Sequence, residues 1–204
     1  MVERARTDSR RSAESSRPDG RVARRAGTRE AIMDAATELF AARGVTSTSI
    51  DDIAAAAGIA KGSIYYNFES KAGLVEEIMA RNSALLSDAL AGATRGRTGV
   101  ALRDEVVRAL LKLVEENAPA AQVMVTELFR TERSWRESIE RWRGLALTPL
   151  IDDLRASGAD PVVAGVQAAS IVGATLMAGL EWLVFHPERS YEQVTSAVLG
   201  TLQH

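Results

Sequence analysis

The sequence predicts an all-α protein, a small N-terminal helical unit followed by a larger helical bundle. Alanine, the strongest helix former, is the commonest residue with 34 copies in 204, while β-branched and aromatic residues are thinly spread. Apolar residues recur at spacings of three and four, the signature of one helix face. Between those stripes stand Ser, Thr, Asp, Gly and Pro at positions that start and stop helices.

Composition narrows the chemistry. Net charge is −2 and apolar residues make up 46 %, an ordinary globular balance. The absence of cysteine removes disulfides, thiolate metal sites and a cysteine nucleophile. His186 and His204 are the only histidines, too few for a histidine-ligated metal or a Ser–His triad. No metal and no cofactor is expected, and a helical enzyme would have only carboxylates to work with. The Arg-rich N-terminus lacks the apolar run of a signal peptide, so the chain reads as cytoplasmic. Residues 161–180 are uncharged and long enough to span a bilayer. Gln167, Ser170, Thr175, three glycines and many alanines within them favour a buried helix of a bundle, with no membrane involved.

Residues 1–27 hold eight arginines, four acids and no Leu, Ile or aromatic residue. They read as a disordered basic arm of local charge +4, either a DNA-holding arm or a solvated tail. Order is expected from Thr28, an N-cap before the stripe Ile32, Ala35, Ala36, Leu39 and Phe40, which Gly44 stops. Ser49 caps a second helix with Asp51 and Asp52 in its first turn, and Gly58 ends it. Residues 61–68 make a short third helix, and Ser70 caps a fourth carrying Leu74, Val75, Ile78 and Met79. A Gly-rich loop over 91–99 leads to a fifth helix over 100–116. The sixth starts near Pro119 with Val123, Met124, Leu128 and Phe129 on its apolar side. The seventh spans about 132–156, broken or kinked at Pro149. Asp160-Pro161 opens the eighth, which runs to about Phe185, and Ser190 with Gln193 forms the capping box of the ninth.

Three short helices within about forty residues, with a Gly-containing turn between the second and third, have the spacing of a helix-turn-helix. The run Thr48-Ser49-Ile50-Asp51-Asp52-Ile53-Ala54, then Ala57-Gly58-Ile59, then Lys61-Gly62-Ser63-Ile64-Tyr65-Tyr66-Asn67-Phe68, then Ser70-Lys71 resembles the DNA-binding domain of the tetracycline-repressor (TetR) family. The resemblance covers about residues 28–78 and implies a helical homodimer whose C-terminal domain dimerises and binds a small molecule. It departs from the family pattern twice: Ala60 stands where a serine or threonine usually caps the recognition helix, and Asn67 where histidine is common.

The residues agree with that reading. Ile64 and Phe68, four apart, supply a buried side, while Lys61, Gly62, Ser63, Tyr65 and Tyr66 face outward. Lys61 suits a guanine edge or a phosphate, Gly62 lets the backbone approach the duplex, and tyrosine hydroxyls suit phosphate oxygens. Each tyrosine has half-buried packing as its alternative role. Lys71, beside a helix N-terminus, and Thr48 and Ser49, at the start of the second helix, are further phosphate candidates. Residues 28–74 carry four basic and six acidic side chains, a local charge of −2 that the arm's +4 reverses.

Beyond residue 75, Met124, Leu128, Trp135, Ile139, Trp142, Met177 and Trp182 are expected either to line a cavity for an apolar or amphipathic effector or to be plain core. Asn117, Gln122, Thr126, Glu127, Thr175 and Glu181 are candidate polar anchors, and Glu132, Arg133, Arg136, Glu137, Glu140 and Arg141 a solvated ion-paired face. For dimerisation the eighth and ninth helices offer Gly165, Ala169, Gly173, Ala174, Ala178 and Gly179 for close approach. Leu176, Leu180, Val194, Val198 and Leu202 would supply apolar surface. The division is therefore an arm (1–27), a helix-turn-helix unit (28–74) and a ligand-binding and dimerisation domain (75–204). The expected function is a non-enzymatic DNA-binding regulator, most simply a homodimeric repressor on a pseudo-palindromic operator, released by a small molecule. An effector-independent architectural DNA-binding protein is the alternative, and a helical enzyme a remote one.

Overall fold

The computed structural model describes residues 18–128 and 135–202. In order, the helices are α1 (Pro18–Arg43), α2 (Ile50–Ala56), α3 (Lys61–Asn67), α4 (Lys71–Thr94), α5 (Gly99–Glu116), α6 (Ala118–Leu128), α7 (Arg136–Ala156), α8 (Pro161–Phe185) and α9 (Tyr191–Thr201). Among the described residues there is no strand, so the all-α expectation holds. The first seventeen residues of the basic arm lie outside the described residues, as do Phe129, Glu132, Arg133 and His204.

Local chemistry accounts for most helix ends. Ser49 Oγ accepts from the Asp52 N–H at 3.1 Å while the Asp52 carboxylate accepts from the Ser49 N–H at 2.9 Å, a reciprocal capping box. Those bonds from Ser49 hold the Asp52 carboxyl below its ordinary range. Asp160 accepts from the N–H groups of Val162 and Val163, and Ser190 with Gln193 makes a second capping box. Gly44 and Gly58 close α1 and α2 at φ +80° and +65°, a region that side chains with a Cβ rarely adopt.

Three boundaries differ from expectation. The first helix starts at Pro18, so Thr28 lies inside α1 rather than capping it. A helix already nucleated on the Ile32–Phe40 stripe extends upstream through Ala and Arg without opposition, since no Gly-Pro break intervenes. α4 continues to Thr94 and takes in half of the expected 91–99 loop. Pro149 sits within an unbroken α7, whose buried neighbours Ala146, Leu147 and Leu150 hold it in place.

Two apolar clusters hold the chain. The larger runs without interruption from Ile32, Phe40, Ile53, Ile64 and Phe68 through Leu74 and Ile78 into the bundle at Leu110, Trp142 and Leu150. The smaller joins Val107 and Leu111 of α5 to Trp182, Val194, Val198 and Leu199. α4 packs on α5 and α7, α7 and α5 on α8, and α1 on α6 as well as α2. α8 is long and apolar enough to cross a membrane by length and composition. Here Ala164, Ala168, Val172 and Leu176 face its own bundle.

The expected dimer surface divides accordingly. Leu176, Gly179, Val194 and Val198 are buried within the chain, and Leu180, Ala178 and Leu202 pack against its cores. The exposed strip of α8 is instead Val162, Val166, Ala169, Gly173, Ala174, Met177 and Val184. Three-to-four spacing alone does not say which of two apolar faces turns inward.

Gly179 owes its identity to an intrachain contact: a Cβ there would lie 3.0 Å from Val114 Cγ1 and 3.3 Å from Leu111 Cδ2 on α5. Gly179→Ala should therefore part α5 from α8 and cost about 1–3 kcal/mol of unfolding free energy despite alanine's better helix propensity. Chemical denaturation would measure it, and an unchanged midpoint would show that the side chains of α5 yield.

Candidate functional site

The recognition helix α3 is a seven-residue helix with no side-chain cap at Ala60, so its stability comes from what it buries. Ile64 and Phe68 enter the main core at 1 % and 4 % exposure. Opposite them Lys61, Gly62, Tyr65 and Tyr66 are exposed and Ser63 is half-buried. Tyr65 and Tyr66 reach 52 % and 71 % exposure, unusual for aromatic residues and suited to contact with a partner. The Arg25 guanidinium stands over the Tyr66 ring at 5.1 Å, and that of Arg29 over the Phe68 ring at 4.4 Å. Arg29 also donates to the Asn67 carbonyl and pairs with Glu77. Asn67, in place of the family's common histidine, donates to the Ser63 carbonyl at 2.8 Å. Sequence reading did not identify the two arginines of α1, because cation–π partners 39 and 41 residues apart leave no local pattern.

Three of the DNA-facing candidates are engaged inside the chain. Thr48 is buried at 1 % exposure and donates to the Gly44 carbonyl at 2.9 Å, so it is a loop residue and not a phosphate contact. Ser49 Oγ is taken up by its capping box. Lys71 Nζ donates to the carbonyls of Val45 at 2.8 Å and Thr48 at 2.9 Å. Residues 45–48 leave carbonyls without helical partners between α1 and α2, and an ammonium with three donors satisfies them. Lys61 remains at the surface, paired with Asp51 at 2.9 Å, and that bond raises its pKa above the ordinary lysine value.

Within the bundle, a narrow cavity lies between α4, α5, α6, α7 and α8, walled by Asn82, Leu113, Asn117, Met124, Trp142 and Leu176 among others. Its free volume is ≈ 30 Å³, room for a water or two. Met124 and Trp142 line this cavity, with Asn117 as a polar neighbour. Leu128, Trp135 and Ile139 belong to or pack against the main core without lining the cavity. Met177 is 60 % exposed on the opposite face of α8 and is no cavity residue. Trp182 is in the second cluster, its indole N–H donating to the Arg189 carbonyl at 2.8 Å to pin the α8–α9 turn. The three tryptophans thus do not share a pocket: sequence proximity of Met177 and Trp182 hid a helical rotation that points them apart. Asn82 was missed, although its place in the stripe Leu74, Ile78, Met79, Asn82, Leu86 marks it as a polar residue on a buried face. Of the other expected anchors, Glu127 and Thr175 are buried, Thr126 donates to the Gln122 carbonyl within α6, and Glu181 pairs with Arg189. The solvated face of α7 is represented by Arg136–Glu140 at 3.7 Å. Among the described residues no group of acidic or histidine side chains is arranged to hold a metal.

Comparison with known proteins agrees with this geometry. Residues 32–78 match the family described as "Bacterial regulatory proteins, tetR family". Over 55 residues the chain is 47 % identical to the HTH-type transcriptional repressor KstR2 of Rhodococcus jostii, a stretch covering 27 % of each protein. The chain thus matches about a quarter of that relative's length. The fold extends further: AibR, solved in complex with isovaleryl coenzyme A and operator DNA, superposes with a TM-score of 0.73 at 22 % identity, over 85 % of this chain and 97 % of that one. A bacterial regulatory protein of the tetR family from Rhodococcus RHA1 superposes with the same TM-score at 19 % identity, over 86 % and 94 %. Residues 32–78 are thus the DNA-binding unit of the TetR family of bacterial regulatory proteins, carried on a bundle whose fold those solved structures share.

Proposed function

We propose that the chain is a DNA-binding transcriptional repressor that acts as a homodimer and leaves its operator when a small apolar molecule enters the bundle. The observation that carries this reading is α3, an uncapped helix that buries Ile64 and Phe68 and presents Lys61, Tyr65 and Tyr66 outward. A catalytic reading finds no comparable constellation among the described residues, and the relatives are regulators. AibR, solved with both isovaleryl coenzyme A and operator DNA, supports a small-molecule site and a DNA site on one chain of this fold. The basic arm adds to the reading, because a recognition unit of charge −2 gains little from the phosphate backbone unaided. Its location is proposed as the cytoplasm, with DNA.

α4 links the two sites. Lys71, in its first turn, holds the α1–α2 loop, and Asn82 and Leu85, further along the same helix, wall the cavity. The fourteen residues from 71 to 85 span about 21 Å. Arg81–Asp34 and Arg29–Glu77 tie α4 to α1, and α1 packs on α6, which supplies Met124. The cavity is narrow, so an effector that fills it would press on its α4 and α6 walls. Both helices bear on the recognition unit, so its placement changes relative to the partner subunit's. The exposed apolar strip of α8 supplies the two-fold contact, and a pseudo-palindromic operator matches that symmetry.

Tyr65→Phe should weaken binding to a selected operator across all sequence variants, while Lys61→Ala should alter sequence preference. Operator-selection and mobility-shift titrations distinguish them, and full affinity in both variants defeats the assignment. Lys71→Met should lower the melting temperature and operator affinity but leave the salt dependence of binding unchanged, because the ammonium is spent on Val45 and Thr48. A fall of about one in the log–log slope would put Lys71 back on a phosphate. Val166→Glu, in the middle of the exposed α8 strip, should yield a folded monomer by light scattering with strongly reduced operator affinity. A dimer of normal affinity would mean that another face pairs.

A further inference from the structure

Asn82 lies on the buried stripe of α4 between Met79 and Leu86 at 6 % exposure, and it lines the cavity. Its amide nitrogen has no hydrogen-bond partner among the described residues. Leaving a buried amide N–H unbonded is a cost to the folded chain that an acceptor entering the cavity would offset. The surrounding wall is apolar, chiefly Leu110, Leu113, Val114, Met124 and Trp142. The one other amide there, Asn117, already donates to the Leu113 carbonyl at 3.2 Å.

Two ligand classes fit this wall badly. No described lining residue carries a charge, so a carboxylate or ammonium would enter desolvated and without a counter-ion. A pure hydrocarbon would suit Leu110 and Trp142 but leave the Asn82 amide unbonded. We propose that the cavity selects an uncharged, mostly apolar molecule with an acceptor oxygen, a ketone or ester, which the Asn82 side chain binds. The inference rests on the cavity being the effector site and names what that site reads. Because Asn82 stands on the helix that carries Lys71, the polar end of the ligand is gripped by the same element that holds the α1–α2 loop.

The full chain can be tested with methyl octanoate, sodium octanoate at pH 7 and octane, following the ligand-induced shift in melting temperature. Methyl octanoate should bind more tightly than octanoate. Asn82→Leu should raise the melting temperature of the free protein, since it removes an unbonded polar group. The same change should weaken methyl octanoate roughly tenfold, about the worth of one hydrogen bond, while octane is bound no less well. Asn82→Ser, which keeps a donor, should retain part of the ester's advantage over octane. The inference is overturned if octanoate binds as well as the ester, if methyl octanoate does not bind, or if Asn82→Leu leaves ester affinity unchanged. A lower melting temperature in Asn82→Leu also overturns it, because Asn82 is then structural. Ala121→Trp fills the cavity from α6 and should abolish binding of the ester. If the ester still binds that variant, the effector site itself is elsewhere, a failure distinct from loss of the Asn82 preference.

Discussion

One ammonium group ties the α1–α2 loop to the helix that continues into the bundle. Lys71 Nζ, in the first turn of α4, closes on the carbonyls of Val45 and Thr48, and α4 runs from there to Thr94 within the bundle. The helix-turn-helix is too small to fold on its own core. Ile53, Ile64 and Phe68 share one core with Ile32 and Phe40 of α1 and with Leu74 and Ile78 of α4. The orientation of the recognition helix is thus a property of where α4 stands, and α4 in turn stands where the cavity wall lets it.

That dependence favours rigid movement over local melting as the way a signal travels. α3 has no side-chain cap and only seven residues, so without the burial of Ile64 and Phe68 it would have nothing to keep it helical. Arg25 and Arg29 of α1 close over Tyr66 and Phe68 from the other side. With α1 and α4 both clamped to it, α3 moves when they move. The ion pairs Arg81–Asp34 and Arg29–Glu77 hold α1 and α4 together along two further turns. A narrow cavity and a well-tied recognition unit thus occur together in this structure, and under the proposed function a bound small molecule would oppose both at once.

The helices and their caps were legible in the sequence because their causes are local. Ser49 with Asp52, Ser190 with Gln193, Asp160 with Pro161 and the left-handed Gly44 and Gly58 are all fixed within a few residues. The recognition helix was legible for the same reason. What escaped was decided across distance. Lys71 and Thr48 carry groups as fit for phosphate as for a carbonyl, and only the folded loop decides between them. Trp182 and Met177 are five residues apart on a helix that is apolar on all sides, so no periodicity tells which turns inward. Gly179 read as a dimer contact until the side chains of Leu111 and Val114 stood against it.

The surface chemistry of α3 has a further consequence for specificity. Lys61 is held by Asp51, and the rest of the unit is more acidic than basic, so approach to DNA exchanges an internal ion pair for a phosphate or a base. An exposed pair of this kind is worth little in stability, which makes the exchange cheap. It does keep the ammonium from acting as a free, indiscriminate cation. In the proposed dimer such a module gains little from the backbone of random DNA beyond what the basic arm supplies, and draws its specificity from fitted contacts made by two recognition helices at once. A binding mode that needs both helices in register is also the one most easily undone by a small shift of α4. In the proposed mechanism the acidity of the recognition unit and the narrowness of the cavity work toward the same end, a complex sensitive to a small molecule.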